Sequence, residues 1–312
     1  MKKFRILLLI LALVTAAIVG LFFWLNLEKG VAIRPPLDHN GRPTQVLLEL
    51  LDVLHVHHDG SLESIVAATQ KVWLRPAGKE RWEIEDTFAA QRDVVMPLLE
   101  KMGFIDEIFP TFLRYRHVLL LGATMQRMRT RLAYLIELWN NGVFFEDIVV
   151  LVGQRPRSPE IETDDVIMGK GASELSVKKD WKLSQMPATE TDMARLVFEQ
   201  TELPVGLDKI PVIFVDTPMQ KTATGTLRRP NTVDTVLAWL VTNPAPGLCM
   251  AVSNQPYCLY QDAVVRGCLH KGFDLETVGS AAMTEKASVA TYLDTVARYL
   301  YGMHQNLVHS AE

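Results

Sequence analysis

VLLLGATMQRMRTRLAYLIELWNNG, Val118 to Gly142, is the stretch that decides the fold. Its first four residues, Val118 to Leu121, form a short run with no polar member, which reads as a strand buried on both faces. Gly122 ends the run, and from Met125 to Asn141 the apolar residues return at helical spacing. A buried strand thus feeds a helix. The unit recurs: Ile148–Val152 ends in Gly153, Pro211–Val215 in Asp216 and Leu248–Val252 in Ser253, while a weaker strand spans Phe273–Val278. Helices are predicted near Glu190–Thr201, Thr232–Val241, Leu259–Leu269 and Glu285–Tyr301. Parallel neighbours need crossover connections, and right-handed crossovers cover both faces of the sheet. The expected fold class is therefore α/β, a doubly wound, mainly parallel five-stranded sheet of Rossmann-like type.

Upstream the pattern is different. Val46, Leu47, Leu50, Leu51 and Leu54 recur at helical spacing, and further helices are predicted at Leu62–Leu74 and Asp86–Met102, punctuated by Pro76, Gly78, Gly103 and Pro110. Residues 44–115 read as a helical subdomain, residues 26–43 as a proline-bearing linker, and residues 116–312 as the α/β domain. The chain opens on ILLLILALVTAAIVGLFFWL, Ile6 to Leu25, an uncharged run that at about 1.5 Å per residue spans a hydrocarbon core of roughly 30 Å. Lys2, Lys3 and Arg5 precede it, so the positive-inside bias keeps the N-terminus cytoplasmic and sends the body across the inner membrane, into the periplasm. Residues 1–25 are thus expected to be a cytoplasmic N-terminus and a single transmembrane helix. The run exceeds the apolar core of a cleaved signal peptide, and no small-x-small site follows it.

The chain has 312 residues, 48% of them hydrophobic and 22% charged, which is globular composition, and its formal net charge of −4 gives no pull toward nucleic acid. Cys249, Cys258 and Cys268 lack zinc-site spacing. Cys258 and Cys268 sit about 15 Å apart along one predicted helix, too far to pair. Unpaired thiols fit an oxidising compartment poorly, and they stand against export of the body. His55-Val56-His57-His58-Asp59 meets no second ligand group and, beside Gly60, reads as a solvated helix end. No metal is expected, and no cofactor is implied. Gly-x-Ser-x-Gly, Walker and Gly-x-Gly-x-x-Gly patterns are all absent.

Ligands of open α/β sheets bind beyond the carboxyl ends of the strands. That rule nominates Gly122-Ala123-Thr124, Gly153-Gln154-Arg155, Asp216-Thr217 and Ser253-Asn254-Gln255. Gly122 and Gly153 either shape tight turns or let backbone approach a ligand. Arginines cluster at 127, 129 and 131, at 155 and 157, and at 228 and 229, and guanidinium suits phosphate or carboxylate. Arg127 and Arg131 share one helix face, whereas Arg129 points elsewhere. Glu190 either caps its own helix or projects into the crevice as an acid or base. Asn231, Thr232 and Asp234 are open in the same way, as caps or as ligand contacts.

The order of these motifs resembles the SanA/ElyC/YdcF-like family of bacterial envelope proteins. LLLGATMQRMRTRLAYLIELWNNG (Leu119–Gly142), LVGQRP (Leu151–Pro156), ATETDMARLVFEQTELP (Ala188–Pro204), RRPNTVDTVLAWL (Arg228–Leu240) and AVSNQPY (Ala251–Tyr257) carry the resemblance. It implies a Rossmann-like domain with a polar pocket lined by Gly122, Arg127, Gly153, Glu190, Asn231, Thr232, Asp234 and Ser253, and a link to peptidoglycan or lipid-carrier metabolism. Proteins of that type carry Tyr/Phe-His and then Arg-Ala after the fourth strand. Here Cys258 follows Tyr257, and Gln261-Asp262 precedes Ala263. That corner lacks both an imidazole and a guanidinium.

The resulting expectation is a membrane-anchored envelope protein that binds, and in one version processes, a polar or phosphorylated precursor. Its candidate catalytic residue is Glu190, and its candidate binding residues are Gly122, Thr124, Arg127, Gly153, Arg155, Asn231, Thr232, Asp234 and Ser253. Two further readings stand beside it. One is a non-catalytic scaffold that meets a protein partner through residues 44–110; the other is a nucleotide or S-adenosylmethionine binder.

Overall fold

A computed structural model describes residues 34–76, 78–169, 175–285 and 287–311. The apolar run Ile6–Leu25 lies outside the described residues, and among those described no helix is long and apolar enough to cross a membrane.

Among the described residues, three α-helices, α1 (Gln45–Val53), α2 (Leu62–Val72) and α3 (Arg92–Lys101), precede the first strand, β1 (Arg114–Leu121). There follow α4 (Met125–Asn140), β2 (Phe144–Gly153), the single turn α5 (Asp164–Ile167), α6 (Glu190–Gln200) and β3 (Val212–Thr217). A small hairpin of β4 (Gln220–Lys221) and β5 (Leu227–Arg228) leads to α7 (Thr232–Val241). The chain ends with β6 (Leu248–Asn254), α8 (Cys258–Cys268), β7 (Asp274–Ser280) and α9 (Val289–Ala311). Five strands form one sheet, parallel as the alternation of strand and helix predicts, and their order is β3-β2-β1-β6-β7.

Strand side chains alternate between two cores, which is why the runs contain no polar member. Val118, Leu120, Ile148, Val150, Met250 and Val252 face α4 and α6, meeting Met128, Leu132, Met193 and Val197. Leu119, Leu121, Val149, Leu151, Cys249 and Ala251 face α7 and α8, meeting Val236, Trp239 and Val265. With a side-chain period of two, only a sheet covered on both faces requires apolar residues at every position.

The helices before β1 bury their stripe against α9. Leu47, Leu50, Leu51 and Ile65 are wholly buried with Val289, Tyr292, Leu293, Val296 and Leu300 in one cluster, each large side chain contributing roughly 1.5–3 kcal/mol. Polar contacts tighten the join. The Gln70 amide donates to the Ala297 carbonyl at 2.8 Å, and the Arg75 N–H to Asp294 Oδ1 at 2.9 Å.

Two helix starts differ from the sequence expectation, with a shared cause, and the last helix also runs past the expected Tyr301 to Ala311. The helix expected from Asp86 begins only at Arg92, after a 3-10 turn at Ala89–Gln91, and the helix expected from Glu285 begins at Val289. Asp86 caps the second helix instead of its own. Its carboxylate accepts the N–H groups of Val289 and Ala290 at 3.0 and 3.1 Å. Two otherwise unsatisfied donors of α9 are thereby paired across more than 200 residues of chain. Asp86→Ala should therefore lower unfolding free energy by about 1 kcal/mol in urea titrations at neutral pH.

Candidate anion-binding site

Strand order reverses between β1 and β6: the chain runs from β1 outward to β2 and β3, then crosses back to β6 and on to β7. Loops leaving the two central strands part in opposite directions there and open a crevice at the carboxyl edge. The crevice holds a cavity of about 420 Å³. Gly122, Ala123 and Thr124 after β1, Glu190 at the start of α6, and Arg228 to Thr232 before α7 line it. From the segment between α2 and α3 come Arg75, Glu80, Arg81 and Trp82.

Eight of the lining residues are arginines, at 75, 81, 127, 131, 155, 228, 229 and 298. Four carboxylates hold six of them. Glu80 takes Arg75 at 3.4 Å and Arg229 at 2.8 Å, while Asp294 takes Arg298 at 2.9 Å and Arg81 at 3.9 Å. Glu162 takes Arg155 bidentately at 2.8 and 3.0 Å, and Asp234 takes Arg228 at 2.6 and 2.9 Å. Arg127 and Arg131 have no carboxylate partner among the described residues. Arg131 is 2% exposed and bonds only neutral acceptors: Leu121 and Gly122 carbonyls at 2.7 and 3.0 Å, Asn254 Oδ1 at 3.0 Å and Gln261 Oε1 at 3.5 Å. Burial, and then the nearby Arg127 cation, push its pKa down to about 9, so it remains charged at neutral pH. Arg127 lies 4.8 Å from the Tyr257 ring centroid, and burial draws its pKa down as well.

Even with Glu190 ionised, positive charge exceeds negative charge on this wall. A cleft of one sign in low-dielectric surroundings focuses its field on whatever enters, and here it selects anions. The first turn of α4 adds to this. Thr124 is its N-cap, Met125 N–H is taken by Glu162 at 3.2 Å, and the amides of Gln126 and Arg127 have no acceptor within the helix.

Glu190 is half-buried against two glycines. A Cβ on Gly122 would lie 3.0 Å from Glu190 Oε1 and 2.6 Å from the Leu151 carbonyl, so only glycine lets the carboxyl pack there. Gly153 is similarly constrained, since its Cβ would lie 2.4 Å from Pro230, and its backbone favours the ionised form of Glu190. Burial lifts the Glu190 pKa to about 7, against the pull of Arg155 and with a smaller push from Glu162. The carboxyl therefore changes protonation near neutrality, as an acid or base must.

Seven residues nominated from sequence converge on the cavity: Gly122, Thr124, Arg127, Arg155, Glu190, Asn231 and Thr232. Three stand behind it. Gly153 backs Glu190; Asp234 forms a reciprocal cap with Asn231 and holds Arg228; Ser253 is fully buried and donates to Gln261. Arg129 turns away to the carbonyls of Val166 and Ile167. Sequence reasoning missed Arg75, Glu80, Arg81, Trp82 and Arg298, which reach the cavity from outside the strand-end loops. They also restore charge to the corner whose own loop has none, where Arg81 lies 4.3 Å from the Tyr257 ring centroid. All three cysteines are free thiols, and among the described residues no group of three or more His, Cys, Asp or Glu is placed to hold a metal.

No protein-family model matches this chain, and no curated protein matches it at a significant level.

A carboxyl whose folded pKa of about 7 exceeds its ordinary 4.5 contributes stability below pH 4.5, and that contribution is lost as pH rises through 7. Glu190→Gln should therefore match the parent protein near pH 4.5 and exceed it at pH 8, by on the order of 1–3 kcal/mol. Unfolding titrations at the two pH values measure this, and parallel pH profiles would show that Glu190 titrates normally.

Proposed function

We propose that this protein binds a phosphorylated ligand in the crevice at the β1/β6 switch point, with Glu190 placed to exchange a proton with it. The observation that carries the reading is the pair Arg127 and Arg131, two guanidinium groups on the cavity wall that no carboxylate among the described residues neutralises. Guanidinium and the amides of a helix N-terminus are the groups that bind phosphate most effectively. A sulfonium cation such as that of S-adenosylmethionine would be repelled by the same wall, which counts against that reading. The scaffold reading has less behind it, because the apolar faces of α1, α2 and α3 are already taken up by α9.

The setting we propose is the bacterial inner membrane, with residues 6–25 as anchor and the body in the periplasm, where the ligand is a precursor of the cell envelope. The uncharged run Ile6–Leu25 and the motif order shared with the SanA/ElyC/YdcF-like proteins support it.

Inorganic pyrophosphate is the simplest probe. At about 100 times its dissociation constant it should stabilise the fold by roughly 2.7 kcal/mol. Arg127→Ala should weaken binding by about tenfold or more, the scale of one lost charge-assisted hydrogen bond. Absence of any melting shift with pyrophosphate, phosphate and sulfate would sink the reading. For the setting, an alkaline phosphatase fused after Glu312 should be active in cells. A fluorescent fusion that matures only in the cytoplasm should stay dark, and the reverse pattern would place the body inside.

A further inference from the structure

A second chamber of about 580 Å³ adjoins the first and shares Arg81, Trp82, Thr124 and Arg127 with it. Its remaining wall comes from the ends of β6 and β7 and from α9. Six buried side-chain polar atoms among the described residues have no hydrogen-bond partner, and four belong to this wall: Arg81 Nε, Gln255 Oε1, Ser280 Oγ and Tyr292 Oη. Gln255 is 3% exposed and Tyr292 is 0% exposed. Folded proteins leave few such groups, and the three on this wall that also lack an ionic partner, Gln255, Ser280 and Tyr292, mark a place built for a polar guest.

The orientation of Gln255 is fixed from behind. Its amide nitrogen donates to the Gly103 and Asp106 carbonyls at 2.9 and 2.8 Å, so its oxygen is the atom left to accept. Arg81 Nε is turned to the Asp294 carboxylate at 3.9 Å, whereas the Ser280 and Tyr292 hydroxyls can both donate and accept. A guest meeting this set must itself donate and accept at several points a few ångströms apart. Neighbouring hydroxyl groups on a sugar ring do so. Trp82, 42% exposed and shared by both chambers, offers a face for the sugar ring to lie against, while the Tyr257 ring already carries Arg81 at 4.3 Å and Arg127 at 4.8 Å.

We infer that the second chamber receives a glycosyl group, so that the ligand is a sugar phosphate whose phosphate sits among the arginines and whose sugar hydroxyls pair with Gln255, Ser280 and Tyr292. This rests on the phosphate-binding reading above and adds the chemistry of the organic part.

Calorimetry on the full chain with α-D-glucose 1-phosphate, inorganic phosphate and uridine 5′-monophosphate tests it. Glucose 1-phosphate should bind at least about tenfold more tightly than inorganic phosphate, the effect of pairing buried polar groups. Tyr292→Phe and Ser280→Ala should each remove about fivefold or more of that gain and leave inorganic phosphate unchanged. Because these hydroxyls bond nothing among the described residues, neither variant should melt lower than the parent, as loss of a structural contact would require. Equal affinity for phosphate and glucose 1-phosphate would overturn the glycosyl assignment while leaving the phosphate site standing. So would tighter binding of uridine 5′-monophosphate, or loss of inorganic phosphate binding in the two variants. Binding of none of the three would overturn both readings.

Discussion

The guanidinium of Arg131 stands where the two halves of the sheet diverge. It reaches from α4 to the last carbonyls of β1, to the Asn254 side chain at the end of β6 and to Gln261 of α8. β1 and β6 pair only as far as Leu120 and Val252, and beyond that point the diverging loops leave the carbonyls of Leu121 and Gly122 without β6 to pair them. Arg131 satisfies those carbonyls with a cation. The bonds that do so thus also place an uncompensated charge beneath the crevice. The architecture and the electrostatics of the site meet in one side chain.

So much positive charge needs counterions, and the distribution of those counterions explains the rest of the wall. Asp294 is fully buried in α9, where it holds Arg298, approaches Arg81 and accepts the Arg75 N–H. Removing one partner from such a buried network is strongly destabilising, so each arginine is fixed in place. Glu80 plays the same part at the rim for Arg75 and Arg229. The segment between α2 and α3 is thereby tied both to α9 and to the segment before α7, and it completes the site. Arg127 and Arg131 are the exceptions, and the excess charge is concentrated on them.

Glu190 has the opposite problem. Its carboxyl lies in a basic cavity, which favours ionisation, yet burial outweighs that pull and leaves the group near neutrality. The backbone creates this balance. Gly122 and Gly153 leave no room for a Cβ, so the carboxyl packs directly on two strand ends instead of extending to solvent.

The strands, their parallel arrangement and most helices were legible in the sequence, because a sheet covered on both faces needs apolar residues at every position and a helix needs them at a period near 3.6. The loops at the carboxyl ends were legible for the same reason, and with them Gly122, Thr124, Arg127, Arg155, Glu190, Asn231 and Thr232. What the sequence left open was function at each position: whether Asp234 caps or binds, and whether Arg131 is surface or core. Asp234 is settled by its neighbours Asn231 and Arg228, but Arg131 depends on Asn254, more than 100 residues away, and no local pattern records that. The second wall of the site, with Arg75, Glu80, Arg81 and Arg298, was decided only when α1, α2 and α3 packed on α9. Local periodicity carries backbone pairing and burial, whereas charge complementarity among distant side chains exists only after the chain has folded.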